Sequence, residues 1–73
     1  MSYSPLIHLK PGTQGSIHHI HAGGFATKRL YEMGLYPGTK LVMVKNDVGP
    51  VILSLAGNRI ALGRGLAQKI LVE

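Results

Sequence analysis

The chain of 73 residues has no cysteine, no tryptophan and only three acidic residues. Without cysteine it can form neither disulfide bonds nor thiolate metal sites, so aliphatic packing must stabilise it. The acidic residues Glu32, Asp47 and Glu73 are far apart in sequence, which argues against a catalytic carboxylate pair. Apolar runs such as Leu41 to Val44 are far shorter than the roughly 20 residues of a membrane-spanning helix. These absences argue against an enzyme and against a membrane-inserted protein.

Hydrophobic residues make up 45% of the chain, whereas charged residues make up only 15%. This balance is typical of a folded domain rather than a disordered tail. The length allows a single domain, spanning residues 1–73. Ten glycines and four prolines favour many turns and short strands over a helical bundle.

Eight basic residues against three acidic ones give a net charge of +5. The basic residues are dispersed, and Lys28 and Arg29 are the only adjacent pair. No basic run alternates with aromatic residues as in a base-stacking surface, so we expect no specific nucleic-acid partner. The first ten residues lack the apolar segment of an export signal. We therefore expect a cytoplasmic protein.

Periodicity and turn residues predict a strand, a helix and then four short strands. Gly34 suits the left-handed position that ends a helix, and Pro37 prevents the helix from continuing. The dipeptide Gly57-Asn58 predicts a two-residue hairpin turn. The predicted elements are a strand at 15–21, a helix at 25–33, strands at 40–46, 51–56 and 59–63, a helical turn at 64–67 and a strand at 68–72.

Five short strands in so small a chain would leave long unpaired edges unless the sheet curls on itself. We therefore predict a mainly β, five-stranded barrel with one short helix between the first and second strands. On that helix Ala26, Leu30 and Met33 form one apolar face, which we assign to the barrel. Arg29, Tyr31 and Tyr36 are then free to bind a partner, although they are equally compatible with an ordinary surface.

Three histidines lie close together at positions 18, 19 and 21. On a regular strand His19 and His21 share a face and are separated by roughly 6.6 Å of rise, which suits joint binding of one metal ion. Ile17 and Ile20 cannot both be buried on a regular strand, so the spacing also suggests a β-bulge. Without a carboxylate or thiolate beside them, the histidines predict a weak, open site for a divalent transition metal, or simply an exposed polar strand. No cofactor is required.

Four segments of the sequence carry a family resemblance: R-L-Y-E-M-G-L-x-P-G-T at 29–39, G-P-V at 49–51, N-R-I-A-L-G at 58–63 and A-x-x-I-x-V at 67–72. Over about residues 9–72 the sequence resembles the FeoA family of ferrous-iron transport proteins. The resemblance implies an SH3-like barrel and a non-enzymatic accessory role in the cytoplasm. It also implies a link to FeoB, the membrane permease with a GTP-binding domain. The residues themselves predict a structural turn at Gly34, Pro37 and Gly38, because proline suits the second position of a turn and glycine the third position with its positive φ.

Domains of this type also occur at the C-terminus of metal-responsive repressors resembling the DtxR family. No winged-helix portion precedes the domain in this sequence, so we expect the stand-alone transport accessory. The alternative is a metal-responsive domain that binds a divalent transition metal through its histidines. Self-association is left open by the sequence.

Overall fold

A computed structural model describes residues 3–73, in which short strands predominate. The predicted order of strand, helix and four further strands is confirmed, with most boundaries shifted by one or two residues. In chain order the elements are β1 (Ser4–Pro5), a 3₁₀ turn (Leu6–His8), β2 (Gln14–Ile20), α1 (Gly24–Glu32), β3 (Lys40–Lys45), β4 (Val51–Leu55), β5 (Asn58–Leu62), α2 (Arg64–Ala67) and β6 (Ile70–Val72).

The strands of residues 3–73 form one six-stranded antiparallel sheet in the order β1-β6-β2-β3-β4-β5. The first half of β2 pairs with β3 and its second half pairs with β6. The mainly β prediction is confirmed. The structure adds β1 to the five predicted strands. Strand β1 was not predicted because its two residues are too few to show a periodic pattern. It is recognisable from its pairing with β6, which lies near the other end of the chain.

A β-bulge in β2 sorts its side chains between the core and solvent. Ile17 pairs with Val72 and His19 pairs with Leu71, so the register shifts at His18. The extra residue allows Ile17 and Ile20 to be buried together, at 2% and 9% exposure. The bulge suggested by the isoleucine spacing is therefore confirmed.

Helix α1 ends in a Schellman motif centred on Gly34, which has a φ of 89°. The amide of Leu35 donates to the carbonyl of Leu30 at 2.8 Å, and the amide of Gly34 donates to that of Tyr31 at 2.9 Å. Leu30 and Leu35 are both completely buried. The reversal at Gly34 thus brings apolar side chains on either side of it into the same core.

A tight turn at residues 36–39 follows and is tied to β2. The amide of Thr39 donates to the carbonyl of Tyr36, and Gly38 has a φ of 94°, as expected where Pro37 and Gly38 form the centre of a type II turn. Ile17 exchanges two backbone hydrogen bonds with this turn, one with Gly38 and one with Thr39, at 2.8 and 2.9 Å. The turn is therefore held firmly against the sheet.

The core is purely apolar, and among residues 3–73 no polar or charged side chain is buried. It draws on every long strand, on α1 and α2, and on the 3₁₀ turn. The buried hydrophobic residues are Leu6, Ile17, Ile20, Leu30, Leu35, Leu41, Met43, Val51, Leu53, Leu62, Ala67, Ile70 and Val72.

The hairpin between β4 and β5 differs by one residue from the predicted turn. Leu55 pairs with Asn58, so the two turn residues are Ala56 and Gly57. Both have a positive φ, 49° and 87°, as a type I′ turn requires. The prediction of Gly57-Asn58 was wrong because the ladder of five paired residues fixes Asn58 as the first residue of β5. Ala56 consequently occupies a conformation that L-residues with a Cβ disfavour.

Gly34→Ala is expected to lower the free energy of unfolding by about 1 kcal/mol, because an L-residue at positive φ is strained. Space is available, since an added Cβ would only touch Leu55 Cδ1 at 4.0 Å. Thermal melting measures the effect. Gly24→Ala is the matched control: it lies at the start of α1 with nothing within 4 Å of its added Cβ, and it should not destabilise the domain. Equal melting of parent and Gly34→Ala would contradict the helix-ending role.

Ala56→Asn is expected to stabilise the domain by about 1 kcal/mol, because asparagine adopts the left-handed conformation more readily than alanine. In a chain of this size that gain raises the melting temperature by about 4–8 °C. Ala61→Asn is the control, since Ala61 is exposed in β5, where asparagine brings no advantage. A lower melting temperature for Ala56→Asn than for the parent would show that the turn does not strain Ala56.

Candidate functional site

The inner face of α1 is the one that the sequence predicted. Leu30 is completely buried, and Ala26 and Met33 are partly buried beside it. Their spacing places them on one side of a helix with 3.6 residues per turn. The side chains of α1 available to a partner are therefore the exposed ones, those of Phe25, Lys28, Arg29, Tyr31 and Glu32.

Two tyrosines meet on the outside of the helix and the turn that follows it. Tyr31 and Tyr36 are each 48% exposed, and their ring centroids lie 5.8 Å apart with the planes tilted by 55°. They meet because the chain reverses at Gly34 while Leu30 and Leu35 turn into the core. We refer to Tyr31 and Tyr36 as the tyrosine pair.

Arg29 does not lie with the tyrosine pair. It is two residues from Tyr31, which corresponds to about 200° around the helix. Its neighbours instead are Phe25, Lys28, Glu32 and Leu66, with which it lines a surface groove of about 430 Å³. The structure therefore brings together two of the three predicted partner-binding residues and places the third around the helix from them.

Phe25 is an exposed aromatic residue that sequence reasoning did not single out. It is 96% exposed, the highest value among the large hydrophobic residues of the described chain. The sequence did carry a signal, because the residues three, four and seven positions later are Lys28, Arg29 and Glu32, all charged. That pattern places Phe25 on the polar side of α1 rather than on the core side.

The histidines in β2 and directly after it form two separate groups. His19 and His21 are both exposed, and their ring centroids lie 4.4 Å apart. His18 instead stacks on Tyr3 with centroids 3.7 Å apart, and its Nδ1 lies 3.6 Å from Oε2 of Glu73. Within residues 3–73 no three metal-ligating side chains converge. The predicted pair is thus brought together, while metal binding itself stays a prediction.

A polar cluster absent from the sequence predictions joins the end of β3 to α2. Asn46 donates through Nδ2 to the carbonyls of Ile7 and Leu9 at 2.7 and 2.9 Å. Arg64 donates to Oδ1 of Asn46 at 2.8 Å and to the carbonyl of Gly49 at 3.0 Å. Arg64 is therefore occupied in holding loops together, unlike the exposed Lys28 and Arg29. We assign it a structural role.

The sequence pattern of the FeoA domain matches residues 4–73, nearly the whole chain. The chain belongs to the FeoA family. It is 48% identical over 69 residues to Fe(2+) transport protein A of Methanocaldococcus jannaschii, covering 94% of this chain and 84% of the relative. Membership makes this FeoA domain a non-enzymatic accessory protein of ferrous iron transport.

Solved structures agree with this assignment. A crystal structure described as an iron uptake regulatory protein (FeoA) superimposes with a TM-score of 0.91 at 36% identity, covering 100% of this chain and 97% of that one. The SH3-like fold is confirmed. A manganese-dependent transcriptional repressor bound to manganese superimposes with a TM-score of 0.92, but at 19% identity and over only 37% of its length. That likeness concerns the fold alone.

The motif that carries the family resemblance has a structural explanation in this FeoA domain. Gly34 ends the helix, Leu35 enters the core, and Pro37 and Gly38 form the turn tied to β2. Between Gly34 and Gly38 the large side chain that faces solvent is that of Tyr36. No helix formed by residues 3–73 has the length and apolarity needed to cross a membrane.

Proposed function

We propose that this FeoA domain is a protein-interaction module that binds the cytoplasmic GTP-binding domain of a FeoB-type iron permease. It works in the cytoplasm, requires no cofactor and contacts its partner through α1 and the turn after it. The tyrosine pair forms the centre of the contact, and Arg29 contributes from its edge. Family membership supports the choice of partner, and the exposed side chains support the choice of surface.

The observation that carries the proposal is a pair of half-exposed tyrosines on a rigid support. Tyrosine is enriched among interface residues that dominate binding, because it offers a large contact area and a hydrogen-bonding group. Here the backbone under both rings is held by the Schellman motif and by the hydrogen bonds between Ile17 and the turn. A surface that is already ordered loses little conformational entropy when it binds.

Charge favours an acidic surface on the partner. The domain carries a net charge of +5, and Lys28 and Arg29 are exposed on α1. Charges at the edge of an interface mainly accelerate association and make it sensitive to salt. We therefore assign Arg29 a smaller role in affinity than the tyrosine pair.

Tyr36→Ala is expected to weaken binding to the isolated GTP-binding domain by more than about 1 kcal/mol, the usual mark of an important interface residue. Titration calorimetry with the parent and the variant, with and without guanine nucleotide, measures the change. The melting temperature should barely move, because the Tyr36 side chain is half exposed.

Phe25→Ala is the matched control, since it removes a large exposed aromatic side chain of α1 that lines the groove instead of contacting the tyrosine pair. It should bind as tightly as the parent. The surface assignment is wrong if Tyr36→Ala binds like the parent, or if Phe25→Ala loses affinity instead. The choice of partner is wrong if the parent protein shows no binding in either nucleotide state.

A further inference from the structure

The face of β2 that points to solvent holds two imidazoles side by side. The bulge at His18 sends Ile17 and Ile20 into the core and leaves His19 and His21 exposed, two residues apart. Their ring centroids are 4.4 Å apart and the planes meet at 76°. On a regular strand His19 and His21 would share a face with Ile17, so it is the bulge that leaves them exposed while both isoleucines are buried.

This separation suits two ligands of one metal ion. Zinc holds imidazole nitrogens at about 2.0–2.1 Å, so two such nitrogens on a tetrahedral ion lie about 3.3 Å apart. Rings whose centroids are 4.4 Å apart can reach that arrangement by rotating about their side-chain bonds. Both side chains are exposed, so this rotation displaces no core residue.

His18 is in a different situation, although it is adjacent in sequence. Its ring is stacked parallel on Tyr3 with an interplanar angle of 8°, and its Nδ1 faces the Glu73 carboxylate. These contacts keep His18 and Glu73 together and away from the other two rings. His18 therefore provides a nearby exposed histidine that does not belong to the pair.

We infer that His19 and His21 form a two-imidazole binding site for a borderline divalent transition metal such as Ni²⁺ or Zn²⁺. Water completes the coordination, because the described residues bring no third ligand to the pair. Imidazole disfavours Mg²⁺ and Ca²⁺, and affinity for Fe²⁺ falls below that for Ni²⁺ and Zn²⁺ by the usual order of divalent metals. The site is therefore not selective for ferrous iron. The inference does not depend on the proposed docking to the permease.

Calorimetric titration of the intact chain with NiCl₂ and, separately, ZnCl₂ tests the inference. The parent should bind one ion per chain. His19→Ala and His21→Ala should each weaken binding by about 100-fold, the low end of the gain from joining two ligands. His18→Ala and His8→Ala, which remove exposed histidines outside the pair, should bind as the parent does.

Melting temperatures verify that each variant is folded, which is expected because all four histidines are exposed. A second readout is the histidine ring resonances in NMR spectra, where added Zn²⁺ should shift those of His19 and His21 and leave His18 unchanged. Equal losses in His18→Ala and His19→Ala would overturn the inference. So would tighter binding of Fe²⁺ than of Ni²⁺, or no difference between the parent and the His19→Ala variant.

Discussion

The Schellman motif at Gly34 determines how this domain divides its side chains between core and surface. The motif requires a positive φ and allows the amide of Leu35 to reach the carbonyl of Leu30. Both leucines are then fully buried, which stabilises the fold by about 1.5–3 kcal/mol for each side chain. The residues directly after them, Tyr31 and Tyr36, are left outside and in contact with one another. Core packing and the candidate docking surface thus have the same cause.

The bulge in β2 likewise determines which side chains of the strand face the core and which face solvent. It inserts one residue so that two isoleucines face the core, and it turns the histidines between and after them outward. The same strand also receives the turn at Pro37 and Gly38 through the backbone of Ile17. β2 therefore connects β6 to α1 and the turn at residues 36–39, which together we call the helix–turn unit. It supports both the tyrosine pair and the pair formed by His19 and His21.

Sequence reasoning succeeded where the determinants are local. Gly34, the turn at Pro37 and Gly38, and the helical turn at residues 64–67 depend on neighbouring residues, and the structure has all of them. Strand β1 and the Asn46–Arg64 hydrogen bond were not foreseen, because their partners lie far along the chain. The hairpin turn was misplaced by one residue, because pairing across the whole ladder rather than the local dipeptide sets its position.

The candidate site shows the same division. Helical periodicity was enough to find the buried face of α1 and to leave Arg29, Tyr31 and Tyr36 outside. Periodicity did not show that Arg29 lies apart from Tyr31 and Tyr36. The position of Tyr36 depends on the path of the chain after Gly34, which helical periodicity does not describe. Phe25 was recognisable from its charged neighbours three, four and seven residues ahead. The pairing of His19 with His21 followed from the alternation of side chains along a strand, and the spacing of the two isoleucines indicated the bulge.

The proposed docking surface is the helix–turn unit and not the rest of the sheet. The most direct measurement is an amide NMR titration of the labelled domain with the permease's unlabelled GTP-binding domain. We expect the largest changes at Tyr31, Tyr36 and the amides around the turn at Gly38. The amides of the hairpin between β4 and β5 should serve as unchanged references. Changes concentrated in that hairpin, with the helix–turn unit unaffected, would show that the helix–turn unit is not the docking surface.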